Sequence, residues 1–538
     1  MPTLNWIGKE KVVNHHMDVP YRPLKKQYTF NAESSDNMII HGDNLEVLKA
    51  LLPKYEGKVD VIYIDPPYNT GNEGWVYNDN VNDPRIRRWL GQVVGPEGED
   101  LSRHDKWLCM MYPRLMLLQK LLSDKGILFI SIDDNEYANL KIICDEVLGC
   151  SNFVTNIIWL KKTGSADSVG VSTITEYVLV YVKSPKGLIS FKRNTESYDK
   201  KRYRHKDEYF NERGPFYYDS LGRGSIEYSD AGNYAITAPD GTEIYPNDRC
   251  EFVRDGWTWK WSKEKVEWGL KNGFIDVSPS PTSKTGWSVR YKIYLNVDNE
   301  GKPTQKSTPF KNVIDFALNA DAAANIKSIF DGNNVFKYSK PVNMIQWLIG
   351  LHSNQDAIVL DAFAGSGTTA HAMLNLNKED GGNRKFILCE MCDYAESITA
   401  ERVRRVINGY GKDNKAVPGT DGDFSFYELG EPIVKDGNIN PDVTEEELRK
   451  FIYYSETRTD LPEANPDDPT LMGVHNGIAF YLNYSDNCCT ILDRDYLRTL
   501  KTKADSYVIY AGRCTLSEAE LEKFGITFKK TARDVRAF

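Results

Sequence analysis

The sequence predicts an α/β protein built on a mostly parallel sheet. Three observations carry that prediction. Residues 59–71 read VDVIYIDPPYNTG, an apolar, β-branched run that ends in Asp65, two prolines and Tyr68. Residues 357–370 read AIVLDAFAGSGTTA, a short apolar run followed by a loop of small residues and then a helical stretch. Between residues 31 and 162, strand-like and helix-like segments alternate, which is the signature of helices crossing over a parallel sheet.

The elements follow in order. Residues 1–30 read as an N-terminal arm. IIHGDNLEVLKALL (39–52) is a strand and then a helix, with Asp43 at the turn. VDVIYI is a buried strand with Asp60 as its only charge. MYPRLMLLQKLLSDKG (111–126) is an amphipathic helix that Gly126 stops, followed by the strand ILFISID and the helix NEYANLKIICDEVLG. NFVTNIIWLKK (152–162) is a strand with Trp159 near its end. The first half of the core thus spans 31–164. From 165 to 330 the alternation weakens and Gly, Tyr, Trp, Lys and Arg become frequent, so this stretch reads as an insert. Trp257, Trp259 and Trp261 alternate, which puts them on one face of a strand. They read as the core of a small β-rich unit, with base stacking as the alternative. The core resumes over 331–425. The tail, 426–538, has capping boxes at Thr444/Glu447 and Ser517/Glu520, and the strand-like runs GIAFYLNY and SYVIYAG. It reads as a small α/β domain without a catalytic motif.

In open α/β sheets, chemistry sits beyond the carboxyl ends of the strands. Pro66 and Pro67 fix φ there and remove two backbone donors, so the turn is stiff and offers bare carbonyls. That suits an exocyclic amine whose lone pair is delocalised into a ring. Hydrogen bonds from its N–H groups to Asp65 and the Pro66 carbonyl localise the pair, while Tyr68 stacks on the ring. The alternative is a tight Pro-Pro turn with Asp65 as a helix cap. In the second motif, Asp361 ends the strand and Phe363, Gly365, Ser366, Gly367 and Thr368 form the loop. Glycines allow close backbone approach, and the helix N-terminus that follows favours an anion such as a carboxylate. Neither GxxxxGK[ST] nor a complete GxGxxG is present, so this is not a phosphate loop.

Together the two motifs resemble those of amino-methyltransferases that act on DNA with S-adenosylmethionine. The catalytic tetrapeptide precedes the glycine loop, as in the β class of DNA methyltransferases. The resemblance implies a Rossmann-like methyltransferase core with permuted motif order, an inserted target recognition domain (165–330) and a C-terminal partner or assembly domain. It implies that Asp43 hydrogen-bonds the cofactor's adenine amine, although an N-cap reading of Asp43 stands equally. Glu390, ending RKFILCE, would take the ribose hydroxyls. Phe336, Lys340 and Pro341 in NVFKYSKPVNMIQWLI would cover the methionine end. Trp159 would line the pocket for an extruded base, or else sit in the core. Lys201, Arg202, Arg204, Arg213 and Lys260 in the insert are the candidate DNA-contacting cations. LNWIGKEKVVNHHMDVPYRPL near the start and GTTAHAMLNLNKEDGGNRKFIL after the glycine loop resemble the modification subunits of type III restriction-modification systems. The reaction implied is N6-adenine methylation. N4-cytosine methylation is the nearest alternative, and a mainly site-locating role for a helicase-nuclease partner is another.

Bulk properties fit unevenly. Net charge is −9 over 538 residues, unusual for a binder of double-stranded DNA, but binding follows local potential within roughly 10 Å. The acidic balance and the motif-free tail together suggest a homodimer or a partner. No run of 18 apolar residues predicts a membrane span. The nine cysteines are scattered, as in a reducing cytoplasm. Cys389 and Cys392 form a lone CxxC without a second pair at zinc spacing, so no metal is expected. Cys488 and Cys489 read as inert.

Overall fold

A computed structural model of the chain describes residues 3–70, 103–164, 170–195, 198–224, 228–435, 438–485 and 490–535. It divides into two compact units, Met1–Lys192 with Asn312–Phe538, and Arg193–Lys311.

The larger unit is organised by one ten-stranded sheet. Its strands in chain order are β1 (Leu24–Phe30), β2 (Met38–His41), β3 (Val59–Ile64), β4 (Leu122–Ile132), β5 (Phe153–Leu160), β6 (Thr175–Val182), β7 (Val313–Ile314), β8 (Ile358–Asp361), β9 (Lys385–Glu390) and β10 (Phe424–Leu429). Across the sheet they run β1-β10-β2-β9-β8-β3-β4-β6-β5-β7. The stretch from β10 to β4 is parallel throughout, while β6 is antiparallel to both β4 and β5. The central strands are buried along nearly their whole length, which is why they read as continuous apolar runs. Asp60, the exception in β3, has a use: its Oδ2 accepts the Ile358 amide at 3.1 Å and so helps hold β8 in register with β3.

The neighbours β3 and β8 carry the two motifs that the sequence keeps far apart. Each motif therefore opens at the same edge of the sheet. Helix α1 (Asn44–Tyr55) follows β2, and α2 (Arg103–Leu121) precedes β4. The latter ends at Leu121, five residues before the expected glycine stop. Gly126 instead lies inside β4, where a Cβ would meet Leu122 at 2.6 Å and the Val59 carbonyl at 2.9 Å. Close approach of neighbouring backbone, rather than helix termination, demands that glycine.

The smaller unit, Arg193–Lys311, is narrower than the 165–330 insert expected from composition. Strand β6 and the helix Asn319–Ile329 belong to the larger unit, because β6 pairs along its full length with β4 and β5. The smaller unit contains a three-stranded antiparallel sheet of Ile275–Pro279, Trp287–Tyr294 and Phe216–Ser220. Trp259 and Trp261 are buried in its core beside Phe274 and Tyr294. The alternating tryptophans are not one strand face, because the strand stops at Trp259 and Trp257 is only half-buried.

The expected N-terminal arm is not an arm. Val12 and Val19 are buried in the main core, and β1 closes one edge of the sheet against β10. The tail forms a four-stranded sheet, Leu471–His475, Ile478–Leu482, Ser506–Ala511 and Ile526–Lys530. Both capping boxes are present, at Thr444/Glu447 and Ser517/Glu520. The main sheet extends past the expected boundary through β10, and Tyr454 of the tail packs in the main core and hydrogen-bonds Glu56. Among the described residues, no helix is long and apolar enough to cross a membrane, and no cluster of metal-ligating side chains occurs. Cys389 is buried and Cys392 half-buried. Cys488 and Cys489 lie outside the described residues.

Candidate active site

Strand β3 ends at Ile64, and the next five residues, Asp65 to Asn69, are all buried. Asp65 is held by Lys340, whose Nζ lies 2.8 Å from Oδ1. Burial pushes the Asp65 carboxyl above its ordinary range, the Lys340 cation pulls it back, and the nearby Glu176 carboxylate pushes it up again. The balance matters because an ionised Asp65 only accepts hydrogen bonds, whereas a protonated one also donates. Lys340 Nζ also sits 4.7 Å from the centre of the Tyr68 ring and 3.8 Å from Glu176 Oε2. Tyr68 donates its hydroxyl to Glu176 Oε2 at 3.1 Å, and Lys161 pairs with Glu176 Oε1 at 3.0 Å. These groups surround a cavity of about 320 Å³ that also has Asp133 and Asn319 on its walls, at the small end of ligand pockets.

The turn itself is braced from behind. Trp107 of α2 is fully buried and donates its indole N–H to the Pro67 carbonyl at 2.6 Å. Asn69 adopts a left-handed conformation, φ 57°, which asparagine tolerates better than most residues. Its side-chain amide donates to the buried Glu136 and to the Arg103 carbonyl. Two elements remote in sequence thus fix the tetrapeptide.

On the neighbouring strand, Asp361 accepts the Phe363 amide at 3.0 Å and the Thr369 hydroxyl at 2.5 Å. Burial raises its carboxyl to about 7, and those two hydrogen bonds oppose the rise. Gly365 and Gly367 have φ of 52° and 81°, a region that favours glycine. A Cβ at Gly367 would stand 3.1 Å from the Thr399 carbonyl. Helix α3 (Thr368–Asp380) starts directly after them. Glu390, at the end of β9, accepts the Gly365 amide at 2.8 Å and the Cys392 amide at 2.9 Å, one on each oxygen. Burial raises its carboxyl too. The Cys392 and Tyr394 side chains also hydrogen-bond this carboxylate, which has up to about four acceptor positions in all. Asn44, Pro67, Phe363, Glu390 and Tyr394 line one groove across the ends of β3, β8 and β9. A second cavity, lined by Asp65, Phe336, Ser339, Lys340, Asp361, Gly365 and Ser366, runs between the loop and the tetrapeptide.

The expected residues are distributed unevenly over this geometry. Asp43 is the N-cap of α1: its Oδ1 accepts the Leu45 amide at 2.8 Å and pairs with Arg114 at 3.2 Å. Its neighbour Asn44, not Asp43, lines the groove. Lys340 reaches Asp65 rather than only the loop. Trp159 is fully buried and donates to the Ala317 carbonyl at 2.6 Å, so it is a core residue behind the pocket and presents no face to a base. In the smaller unit, Arg213 is sandwiched on Tyr209 and Phe274 and donates to the Asn272 carbonyl at 2.8 Å, while Lys260 pairs with Asp219 at 2.9 Å. Both hold that unit together. Arg202 lies 3.6 Å over the Tyr217 ring. Arg204 is exposed, with its Nε on the Lys201 carbonyl, and Lys201 is exposed as well. Sequence reasoning passed over Glu176, Trp107, Arg114 and Arg402. Glu176 had a signal, as the one charge in the apolar strand TEYVLVYV; the fully buried Trp107 had none.

The DNA methylase family matches residues 59–401, from the start of β3 past the glycine loop. The chain belongs to that family. Among curated DNA methylases, it is 36% identical over 450 residues to the type III restriction-modification enzyme StyLTI Mod subunit of Salmonella typhimurium, covering 78% of this chain and 63% of that protein. It is 33% identical over 396 residues to the type II methyltransferase M.KpnI of Klebsiella pneumoniae, covering 68% of this chain and 85% of that one. With the EcoP15I Mod subunit of Escherichia coli, identity is 28% over 428 residues, 72% of this chain and 64% of the relative. The chain thus spans less than two thirds of these type III relatives. The solved PvuII DNA methyltransferase, described as cytosine-N4-specific, aligns over 68% of this chain and 86% of its own at 12% identity and a TM-score of 0.31.

Proposed function

We propose that this DNA methylase transfers a methyl group from S-adenosylmethionine to the N6 amine of adenine in a specific double-stranded DNA site, as the modification subunit of a type III restriction-modification system. The observation that carries the reading is the Asp65 carboxylate, buried and ion-paired, facing a base-sized cavity one strand away from a glycine loop.

The residues present fit the cofactor. Glu390 offers carboxylate oxygens to ribose hydroxyls, Phe363 and Tyr394 give the groove apolar walls, and the loop and the start of α3 supply amide donors to a carboxylate. Bound there, S-adenosylmethionine would supply an electrophilic methyl on sulfur. The protein's part is positioning and electrostatics. Asp65 and the Pro66 carbonyl accept the two amine hydrogens, which localises the nitrogen lone pair. Tyr68 packs on the base, and its hydroxyl is fixed by Glu176. Lys340 favours the accepting, ionised form of Asp65 against the burial that raises its carboxyl. The base must leave the duplex to reach the cavity, at a cost of a few kcal/mol.

The smaller unit, with Lys201, Arg202 and Arg204 on it, is the proposed reader of the DNA site. Homodimerisation, and a helicase-nuclease partner, follow from the type III reading and the acidic net charge. The direct test is Asp65→Ala with tritiated methyl donor. Transfer should fall by at least about 10²-fold, with cofactor affinity by calorimetry nearly unchanged. Transfer close to the parent rate would remove Asp65 from the mechanism.

A further inference from the structure

The helix Glu401–Asn408 turns one cation inward without an anion to meet it. Arg402 is fully buried. One guanidinium nitrogen donates to Ser366 Oγ at 2.6 Å, Thr368 Oγ1 at 2.8 Å and Ser339 Oγ at 3.1 Å. The other donates to Asn325 Oδ1 at 3.0 Å and lies 3.5 Å from His371 Nδ1. All these partners are neutral acceptors, and no described carboxylate pairs with Arg402. A buried charge without a counter-ion is strongly unfavourable. Burial accordingly lowers its pKa to about 9.

The three hydroxyls tie this charge to the site. Ser339, Ser366 and Thr368 all line the cavity between the glycine loop and Asp65. Their oxygens lie 3.0–3.3 Å from one another. The guanidinium nitrogen shares its two N–H protons among the three hydroxyls, and the hydroxyl protons, which rotate, bond within the cluster until an anion draws them. An anion above them turns those protons upward, and the charge beneath strengthens every bond so formed. The first turn of α3 points its amide groups at the same place.

We propose that Arg402 is the buried counter-ion for a ligand carboxylate at the glycine loop, acting through Ser339, Ser366 and Thr368 as a positioning residue. The inference rests on the cofactor reading above, in which that carboxylate belongs to the methionine half. The cation is too deep to touch the ligand. It holds the hydroxyls in an acceptor-to-the-arginine, donor-to-the-anion arrangement.

The experiment compares calorimetric affinities of the full chain for S-adenosylmethionine and for its decarboxylated analogue. The parent should prefer the carboxylate-bearing ligand by about tenfold or more, the effect of one charge-assisted hydrogen-bond set. Arg402→Met should lose that preference by weakening only the carboxylate ligand, and Arg402→Lys should retain part of it. Thr368→Val keeps the arginine and removes one relay hydroxyl, so it should narrow the preference even if the arginine variants fail to fold. A preference that survives Arg402→Met, or a folded variant that weakens both ligands equally, would overturn the proposal. So would a parent that binds both ligands alike. A parent that binds neither would bring down the cofactor reading itself, a distinct result.

Discussion

Replacing Lys340 by methionine separates two roles for this lysine. The motif resemblance groups it with residues expected to cover the cofactor; in the structure its ammonium lies 2.8 Å from Asp65, with 13% and 9% of the two side chains exposed. Methionine keeps the length and removes the charge. A contacting opposite charge ordinarily lowers a carboxylate pKa by about 1–3 units, each worth about 1.36 kcal/mol. The variant therefore loses roughly 1.4–4 kcal/mol of support for ionised Asp65. Burial and Glu176 already push that carboxyl upward, and nothing remains to oppose them as strongly. Asp65 works as an acceptor, so activity appears as pH rises through its pKa. The acid limb of the single-turnover rate should move up by about 1–3 pH units, with the rate recovering toward alkaline pH. Lys340→Arg should leave the limb near its parent position. A rate lowered equally at every pH, or a lost cofactor affinity with the limb unmoved, would refute the charge-holding role.

Other perturbations have equally definite outcomes. Gly367→Ala places a Cβ 3.1 Å from the Thr399 carbonyl at φ 81°, so it should cost about 1–3 kcal/mol of stability and weaken cofactor binding. Parent-like melting and affinity would show that the loop relaxes freely. Exchange of residues 193–311 for the matching unit of a relative should change which site is methylated and leave the chemistry on the same amine. An active chimera that keeps its original site would remove recognition from that unit. Light scattering should find about twice the 61.3 kDa chain mass, and a fully active monomer at micromolar concentration would refute the dimer.

The parallel core was legible because its strands are buried on both faces and punctuated by turns. The same burial made Asp65, Asp361 and Glu390 stand out at strand ends. Legibility failed wherever a contact between distant elements decides the outcome. Asp43 satisfied two sequence readings; its bond to the Leu45 amide makes it the cap, and that bond and the pairing with Arg114 from α2 both use Oδ1, so capping by itself does not decide the ligand reading. Trp159 looked the same whether it faced a pocket or the core. Arg213 and Lys260 looked like DNA contacts because cations beside aromatics read alike in a groove and in a packed small domain. The insert's edges were misplaced because β6 carries no local mark of the sheet to which it belongs. Arg402 had no signal in its own segment, since its partners come from the loop and from residues 325 and 339.

The central claim is that the described cavity presents an adenine amine to a methyl donor through Asp65. Its most direct measurement is nucleoside mass spectrometry, with site mapping, of DNA from cells that express this chain or its Asp65→Ala variant. The account predicts N6-methyladenine at one sequence context with the parent chain and none with the variant. N4-methylcytosine instead, or equal N6-methyladenine with both chains, would contradict it.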